Sequence, residues 1–524
     1  MLNKDVLFGK DAKQKILKGM SIIGEAVGST LGPKGMSVVI ERDGKPQVTK
    51  DGITVARSIQ LADHGMNVGA QMLREATLVS WEKSGDGTTS STVMALGMIE
   101  AYIQSQRLNP ENPVIIKKQV EEAKKIVLDS LKESTIPFTI DSVEKIATIS
   151  GNNDPEIGKL LDEAFRKITK DGVITVEESS SVNTFIDIID GMQFDRGYVS
   201  HHFATDVTKG ECILEKPYIL ITDQKIQLMR DIIPVLEIAV NNHKPILLIA
   251  QDYDDEVIQN LKINKLQGIL QVCAIKAPSF GDYRKEVLED IAILTNGKVA
   301  TYESGILLSK VDESMLGTCS KVIVNRDNTT IIGGDANEEI LQGRVQQIRE
   351  ELKNLPEAIN TDFLRKFYEE RIAKLTSGIS IIHVGGATEM EMKERKDRVD
   401  DAVCATKAAS EEGIVPGGGL VFLKAAEKIK DKKLPGYQIV YQALQSVTKK
   451  IIENAGYDYN ELKNDFNLKE WIGFDADKEQ FVSFIKRGIF DPAKCDRLVF
   501  ENAIAVFELY ISTNCLITNI DPKF

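Results

Sequence analysis

The sequence is short of the residues that build covalently or metal-held folds. Its six cysteines (Cys212, Cys273, Cys319, Cys404, Cys495 and Cys515) form no C-x-x-C pair, and its five histidines do not cluster with them. This argues against a disulfide framework and a structural zinc site, and free thiols suit a reducing compartment. No apolar run approaches the roughly 18 residues of a membrane span, and the opening MLNKDVLFGKDAKQ lacks the unbroken apolar core of a signal peptide. A cytoplasmic protein without a membrane partner is expected. Positive charge is in deficit as well. Against 78 Asp and Glu stand 65 Lys and Arg, and the net charge of −13 repels a polyanion, so no nucleic-acid partner is expected. The string G-x-x-x-x-G-K-[ST] is missing too, which argues against a P-loop NTPase.

What remains is an ordinary folded composition, 42% apolar and 27% charged over 524 residues, long enough for two to four domains. Ile16, Met20, Ile23, Val27 and Leu31 recur at steps of three and four, which predicts an amphipathic helix from Asp11 to Leu31, stopped by Gly32-Pro33. Val38-Val39-Ile40 then predicts a strand, RDGK a turn, and a second extended segment ends in TKDGITVA, with Lys50-Asp51-Gly52 at a turn. The stretch GDGTTSS (Gly85 to Ser91) opens a further helix with hydroxyls on its first turn. ISGNND (Ile149 to Asp154) reads as a polar loop and GVITVEESS (Gly172 to Ser180) as a strand. Runs such as Ile219-Leu220-Ile221 and Ile246-Leu247-Leu248-Ile249 alternate with helical stretches through the middle third, an α/β pattern, and the last third is mostly helical.

Three glycine-bearing loops share one chemical character: TLGPKG (Thr30 to Gly35), GDGTTSS and PGGGL (Pro416 to Leu420). Glycines let backbone N–H groups approach an anion, and a helix N-terminus adds partial positive charge. Thr88, Thr89 and Ser90 can donate to phosphate oxygens, whereas Asp86 repels phosphate unless a cation lies between, so the physical reading is a Mg²⁺ ion bridging Asp86 to phosphate. Each loop alone also has a plain reading, as a packing turn, a helix N-cap or a hairpin turn. Spacing and composition stop at a nucleotide site.

Seven strings in order carry a resemblance. TLGPKG, KDGITVAR, GDGTTSS, GMQFDRGY (Gly191 to Tyr198), KAPSFGD (Lys276 to Asp282), GGATEMEMKERKDRVDDA (Gly385 to Ala402) and AASEEGIVPGGG (Ala408 to Gly419) closely resemble the group I chaperonins of the GroEL type, from Lys4 to about Pro522. The resemblance implies a multidomain α and α/β fold. A mainly helical equatorial domain for ATP and ring contacts spans 1–132 and 412–524, a small intermediate hinge domain spans 133–189 and 379–411, and an α/β apical domain spans 190–378. It also implies that Thr30, Leu31, Gly32 and Pro33 line the phosphates of ATP with Lys50 nearby. Asp86 takes Mg²⁺, and Gly87, Thr88, Thr89 and Ser90 hold phosphate oxygens. Gly418, Asp475 and Asp491 face the nucleoside, and K⁺ is admitted as a further cation. Asp401, in RVDDA, serves hydrolysis with help from Asp51.

The same resemblance implies an apical groove for unfolded polypeptides and for a lid co-chaperonin of the GroES type, in a homo-oligomer of one or two seven-membered rings. Tyr198, His202, Phe203, Ile233, Leu236, Ile258, Lys262 and Ile263 are its expected lining. Two of these depart from the family pattern, Lys262 for an apolar residue and His202 for an aromatic one, and both weaken apolar capture. Asp475 and Asp477 in GFDADK replace asparagine and alanine, and the chain closes on NIDPKF without a glycine-methionine tail. Two readings follow: an ATP-driven folding machine, or a diverged paralogue that keeps the ATP site but serves a narrow client or a regulatory task. A small-molecule kinase would need an acceptor pocket that no motif supplies.

Overall fold

The computed structural model describes residues 4–42, 44–84, 86–108, 110–167, 173–179, 181–206, 209–301, 305–354, 361–376 and 378–519. Of the expected motifs, Asp43 of the RDGK turn, Gly85, Gly172, Ser180 and 520–524 lie outside the described residues. The chain divides into two compact units: Met1–Glu163 with Gly386–Phe524, and Ala164–Gly385.

The first unit is built around helices Gly9–Gly28, His64–Ser84, Thr88–Leu108, Pro113–Glu133 and Ala493–Ser512. Ala12, Ile16, Met20, Ile23 and Val27 form the buried stripe of the first of these, repeating at helical spacing. Gly19 lets the His64–Ser84 helix approach, because a Cβ there would lie 1.8 Å from the Met66 carbonyl oxygen. Lys4–Phe8 pairs antiparallel with Cys515–Asn519, from Lys4 opposite Asn519 to Phe8 opposite Cys515. Val38–Arg42 and Lys45–Thr49 form a hairpin.

Two local expectations need correction. The extended segment expected through TKDGITVA stops at Thr49, and Gly52–Ser58 is a helix. Asp51 is the cause: its carboxylate accepts the N–H groups of Ile53 (3.1 Å) and Thr54 (2.8 Å), an N-cap that overrides the strand preference of Ile53, Thr54 and Val55. Likewise the helix Val143–Ser150 runs into the expected ISGNND loop, which begins only at Gly151.

The second unit holds an eight-stranded mixed sheet. Tyr218–Thr222, Ile246–Ala250 and Val272–Lys276 pair in parallel and are almost wholly buried, as strands covered on both faces must be. Gly317–Val324, Thr329–Gly334 and Gly191–Phe194 extend the sheet antiparallel. A separate three-stranded sheet joins Val173–Glu178, Ile379–Val384 and Phe185–Ile189. Under the helices lies a buried ionic cluster. Asp290, 1% exposed, accepts from Arg344 Nε at 2.8 Å and from Arg371 Nε at 2.6 Å and Nη2 at 2.9 Å, tying three helices together. Among the described residues no helix is long and apolar enough to cross a membrane.

Candidate functional site

A cavity of about 810 Å³ in the first unit is lined by every residue that the sequence assigned to nucleotide and hydrolysis: Thr30 to Pro33, Lys50, Asp51, Asp86 to Ser90, Asp401, Gly418, Asp475 and Asp491. The helix Thr88–Leu108 starts at its wall. The N–H groups of Thr88, Thr89 and Ser90 have no intrahelical acceptor, and the first closing bond runs from Ser91 N–H to Gly87 O at 2.9 Å. These free N–H groups and the helix dipole make this wall of the cavity favourable to an anion. Thr88 is 4% exposed, and its Oγ1, shielded from solvent, has no hydrogen-bond partner.

The facing loop Thr30–Gly35 is shaped by Gly32, whose φ of 83° lies in the left-handed region. Thr30 Oγ1 donates to Val27 O at 2.8 Å, so toward a ligand this oxygen acts only as an acceptor, suited to a cation. Asn454 holds the loop, its Nδ2 donating to Gly28 O and Leu31 O, both at 2.9 Å. No sequence pattern marks Asn454. Gly52 provides a close approach on the same wall, since a Cβ there would lie 2.2 Å from Thr89 Oγ1.

At the other end, Ile414–Pro416 pairs antiparallel with Phe490–Pro492 and sets Gly417 to Gly419 beside Asp491. Gly418 N–H donates to Asp491 Oδ2 at 2.9 Å, and Thr448 Oγ1 donates to Gly418 O at 3.0 Å. Asp475 is 8% exposed and serves its own turn, where Oδ1 accepts from Asp477 N–H at 3.0 Å and Lys478 N–H at 3.3 Å. Asp496, a residue without a sequence signal beyond an acid in a first helical turn, also lines the cavity. It is 6% exposed, and its Oδ2 lacks a partner.

The cavity therefore concentrates carboxylates. Burial, then the charge of Asp51, raises the Asp86 carboxyl above its ordinary value, although Gly87 N–H, at 2.5 Å from Oδ1, opposes this. Burial and then Asp51 and Asp86 push Asp401 well up. Burial and Asp86 push Asp491 up to about 7, and burial, Asp491 and Asp86 push Asp496 well up. Such a cluster is stabilised by a cation. Among the described residues no three His, Cys, Asp or Glu side chains are grouped to hold a metal unaided. The donor set fits a Mg²⁺ that completes its shell with phosphate oxygens and water. Asp51 uses both oxygens in its cap, with Thr54 Oγ1 adding a bond to Oδ2 at 2.6 Å, which fixes the carboxylate on the cavity wall. Asp401 rides on the helix Glu389–Glu412, which Arg398 fastens to Asp154 at 3.3 Å.

The residues expected to line a groove lie in the second unit, and two of the apolar ones are buried in its core. In the helix Met229–Asn241, Ile232, Val235, Leu236 and Ala239 face the core, and Leu236 is 8% exposed. Phe203 is fully buried beneath a short 3₁₀ turn, His201–Phe203. Neither presents a free apolar surface, because both are packed into the core of this unit. Ile233 (43% exposed) and Ile263 (49%) stay outward, Tyr198, Ile258 and Lys262 are half-buried, and His202 is exposed with its ring 4.0 Å from that of His201.

The model of the TCP-1/cpn60 chaperonin family matches residues 23–233 and 230–520. Two solved structures are similar over the whole chain, both of the chaperonin gp146 from the bacteriophage EL 2 (Pseudomonas aeruginosa) in the presence of ATP-BeFx. Crystal form II is 22% identical, covers 100% of both chains and has a TM-score of 0.69. Crystal form I is 21% identical, covers 99% of both and has a TM-score of 0.64.

Proposed function

Because the chain belongs to the TCP-1/cpn60 chaperonin family, we propose that it is an ATP-dependent chaperonin that binds non-native polypeptides and couples their release and folding to ATP hydrolysis. The observation that carries this reading is the convergence of residues 30–33, 50–51, 86–90, 401, 418 and 491 on one cavity whose donors suit phosphate and whose acids suit a cation.

In this reading Gly32, the start of the Thr88 helix and Lys50 hold the triphosphate, and Asp491 fixes the Gly418 loop against the nucleoside. Asp86 would hold a Mg²⁺ ion, which would supply positive charge to offset that of the phosphates, and K⁺ is admitted as a further cation. Asp401 accepts a hydrogen bond from the attacking water and orients it, and Asp51 adds negative potential. Three domains divide the labour: equatorial 1–132 with 412–524, intermediate 133–189 with 379–411, and apical 190–378. The intermediate domain moves Asp401, so turnover follows closure.

Ring assembly suits the exposed strands of the first unit. The hairpin exposes Val39 and Val48, the terminal sheet exposes Val6, Phe8 and Ile517, and each is only two strands wide, which leaves open edges. Seven-membered rings and a lid of the GroES type complete the cycle. A narrower task, as a chaperonin with few clients, is favoured by one observation: burial of Phe203 and Leu236, with Lys262 and His202 beside them, reduces the apolar strip. Recovery of a denatured, aggregation-prone enzyme, with ATP and a lid each omitted in turn, separates the two. Recovery that needs both supports the general machine, and ATP hydrolysis without recovery supports the narrow one.

A further inference from the structure

Lys34, the base within TLGPKG, stands just beyond Pro33, which lines the cavity on the side of the Gly32 loop. Its ammonium pairs with Glu479 Oε1 at 3.6 Å. Glu479 belongs to the opposite rim. Residues 476–479 link the paired strand ends Asp475 and Gln480, and Phe474 to Lys478 line the cavity. The other oxygen, Glu479 Oε2, accepts from the Tyr457 hydroxyl at 2.9 Å. Tyr457 in turn sets its ring edge-to-face against that of Phe474, with centroids 5.2 Å apart. One carboxylate therefore joins the two rims, Lys34 on one side and Tyr457, packed on Phe474, on the other.

Both rims also rest on one post. The helix Ser446–Asn454 lines the cavity through Val447 and Ile451. A Cβ on Gly32 would lie 3.2 Å from Ile451 Cγ2, Asn454 holds the Gly28 and Leu31 carbonyls, and Tyr457 follows just past the end of the helix. The backbone of Glu479 is unusual as well. Its φ of 56° lies in the left-handed region, where glycine is at ease and a side chain is strained. Hairpin loops often place glycine at such a position. A glutamate there costs local stability, and what its side chain does in return is to close the rim.

We propose that Glu479 is a positioning residue that governs how long nucleotide stays in the cavity, by clasping the Gly32 loop, through Lys34, to the opposite rim, through Tyr457. The proposal rests on the cavity being the ATP site. Nucleotide leaves when the clasp opens, so these contacts lower the rate of release. Lys34, Glu479 and Tyr457 are all exposed, 42%, 46% and 38%, which keeps the clasp weak enough to open repeatedly.

The test follows release of ADP carrying a fluorescent N-methylanthraniloyl group, with Mg²⁺ present, from the full-length protein by stopped flow, beside the melting temperature. Glu479→Gln keeps an acceptor for Tyr457 but loses the charge facing Lys34. Release is expected to quicken about three-fold at low salt, the scale of one exposed ion pair, and the difference to fade at high salt. Lys34→Gln should give the same gain, and the double variant no more than either alone. Glu479→Gly removes both contacts and suits the left-handed backbone. Its release is expected to quicken about ten-fold while the melting temperature holds, relief of strain offsetting the greater freedom of glycine in the unfolded chain. Release unchanged in all three single variants overturns the clasp and leaves the ATP site standing. Faster release together with a lower melting temperature overturns it too, because the turn is then merely loosened. A wild-type protein that binds no analogue overturns the ATP site and the clasp together. Should Glu479→Gly fail to fold, Tyr457→Phe, which removes a single oxygen, decides: release about three-fold faster supports the clasp, and an unchanged rate overturns it.

Discussion

Asp491 accepts a 2.9 Å hydrogen bond from the backbone N–H of Gly418 across 73 residues of sequence, closing one wall of the cavity. The bond is charge-assisted when the carboxylate is ionised, yet burial and Asp86 oppose that ionisation. The wall is therefore firmest when a cation offsets the cluster, which links occupancy of the site to its rigidity.

The same conflict gives a pH signature. Asp491 titrates at about 7 in the folded protein, against about 3.9 for an aspartate in an unfolded chain. A raised folded value contributes stability that is complete below the unfolded value and is lost as pH climbs through the folded one. Nucleotide-free protein should thus lose stability through this group between about pH 4 and pH 7, and Asp491→Asn should remove that loss. Melting temperatures of both proteins at about pH 5 and pH 8 check this, with the advantage of the asparagine variant expected to grow at the higher pH. An equal difference at both would mean that Asp491 does not titrate in this range.

Asp401→Ala is expected to slow ATP hydrolysis by about a hundred-fold or more, the scale of a lost general base, with nucleotide affinity nearly unchanged. Phosphate release together with equilibrium binding measures both quantities. Normal turnover would remove Asp401 from the mechanism.

Gly52→Ala tests the close approach at the phosphate wall. The new methyl group would displace Thr89 Oγ1, 2.2 Å away, while Val27 Cγ1 at 3.5 Å is ordinary contact. Folding should survive, and nucleotide affinity should fall about ten-fold, as for one hydrogen bond to a charged group. The loss should not add to that of Thr89→Ala if both act through one hydroxyl.

Asp290→Ala removes the buried carboxylate between Arg344 and Arg371 and leaves them the more exposed Glu286, at 2.9 and 3.0 Å. Removing one partner of a buried pair costs about 3–5 kcal/mol when the other charge is left uncompensated, and the pairs to Glu286 and Glu289 bring the expected loss to the lower end, about 3 kcal/mol. Urea unfolding followed by circular dichroism should show a matching fall in the midpoint. A change within the scatter of surface substitutions would mean that water replaces the carboxylate.

The helix stripe from Ala12 to Val27, the parallel strands and the loops around Gly32, Thr88 and Gly418 are legible in the sequence, because each rests on local periodicity or on a compact motif. What was illegible depends on tertiary neighbours. Asp51 reads equally well as a hairpin acid or a helix cap, and only burial of Ile53, Val55 and Ala56 decides for the cap. Leu236 and Ile233 are alike in sequence, yet one is packed in the core and the other faces solvent. Asp496 looks like a routine acid at a helix start until the Gly87 loop is placed against that helix, where a Cβ on Gly87 would lie 2.8 Å from Val499. Asn454 belongs to no pattern at all.

The first unit's discontinuity governs how the molecule is born. A ribosome releases the Thr30 and Asp86 walls, and the strand Lys4–Phe8, long before Gly418, Asp491 and Cys515–Asn519 exist to meet them. The contiguous stretch Ala164–Gly385 can finish folding while its host is still half made. A chain cut short before Asp491 lacks one wall of the cavity, so the cavity is complete only once Ile414–Pro416 has paired with Phe490–Pro492.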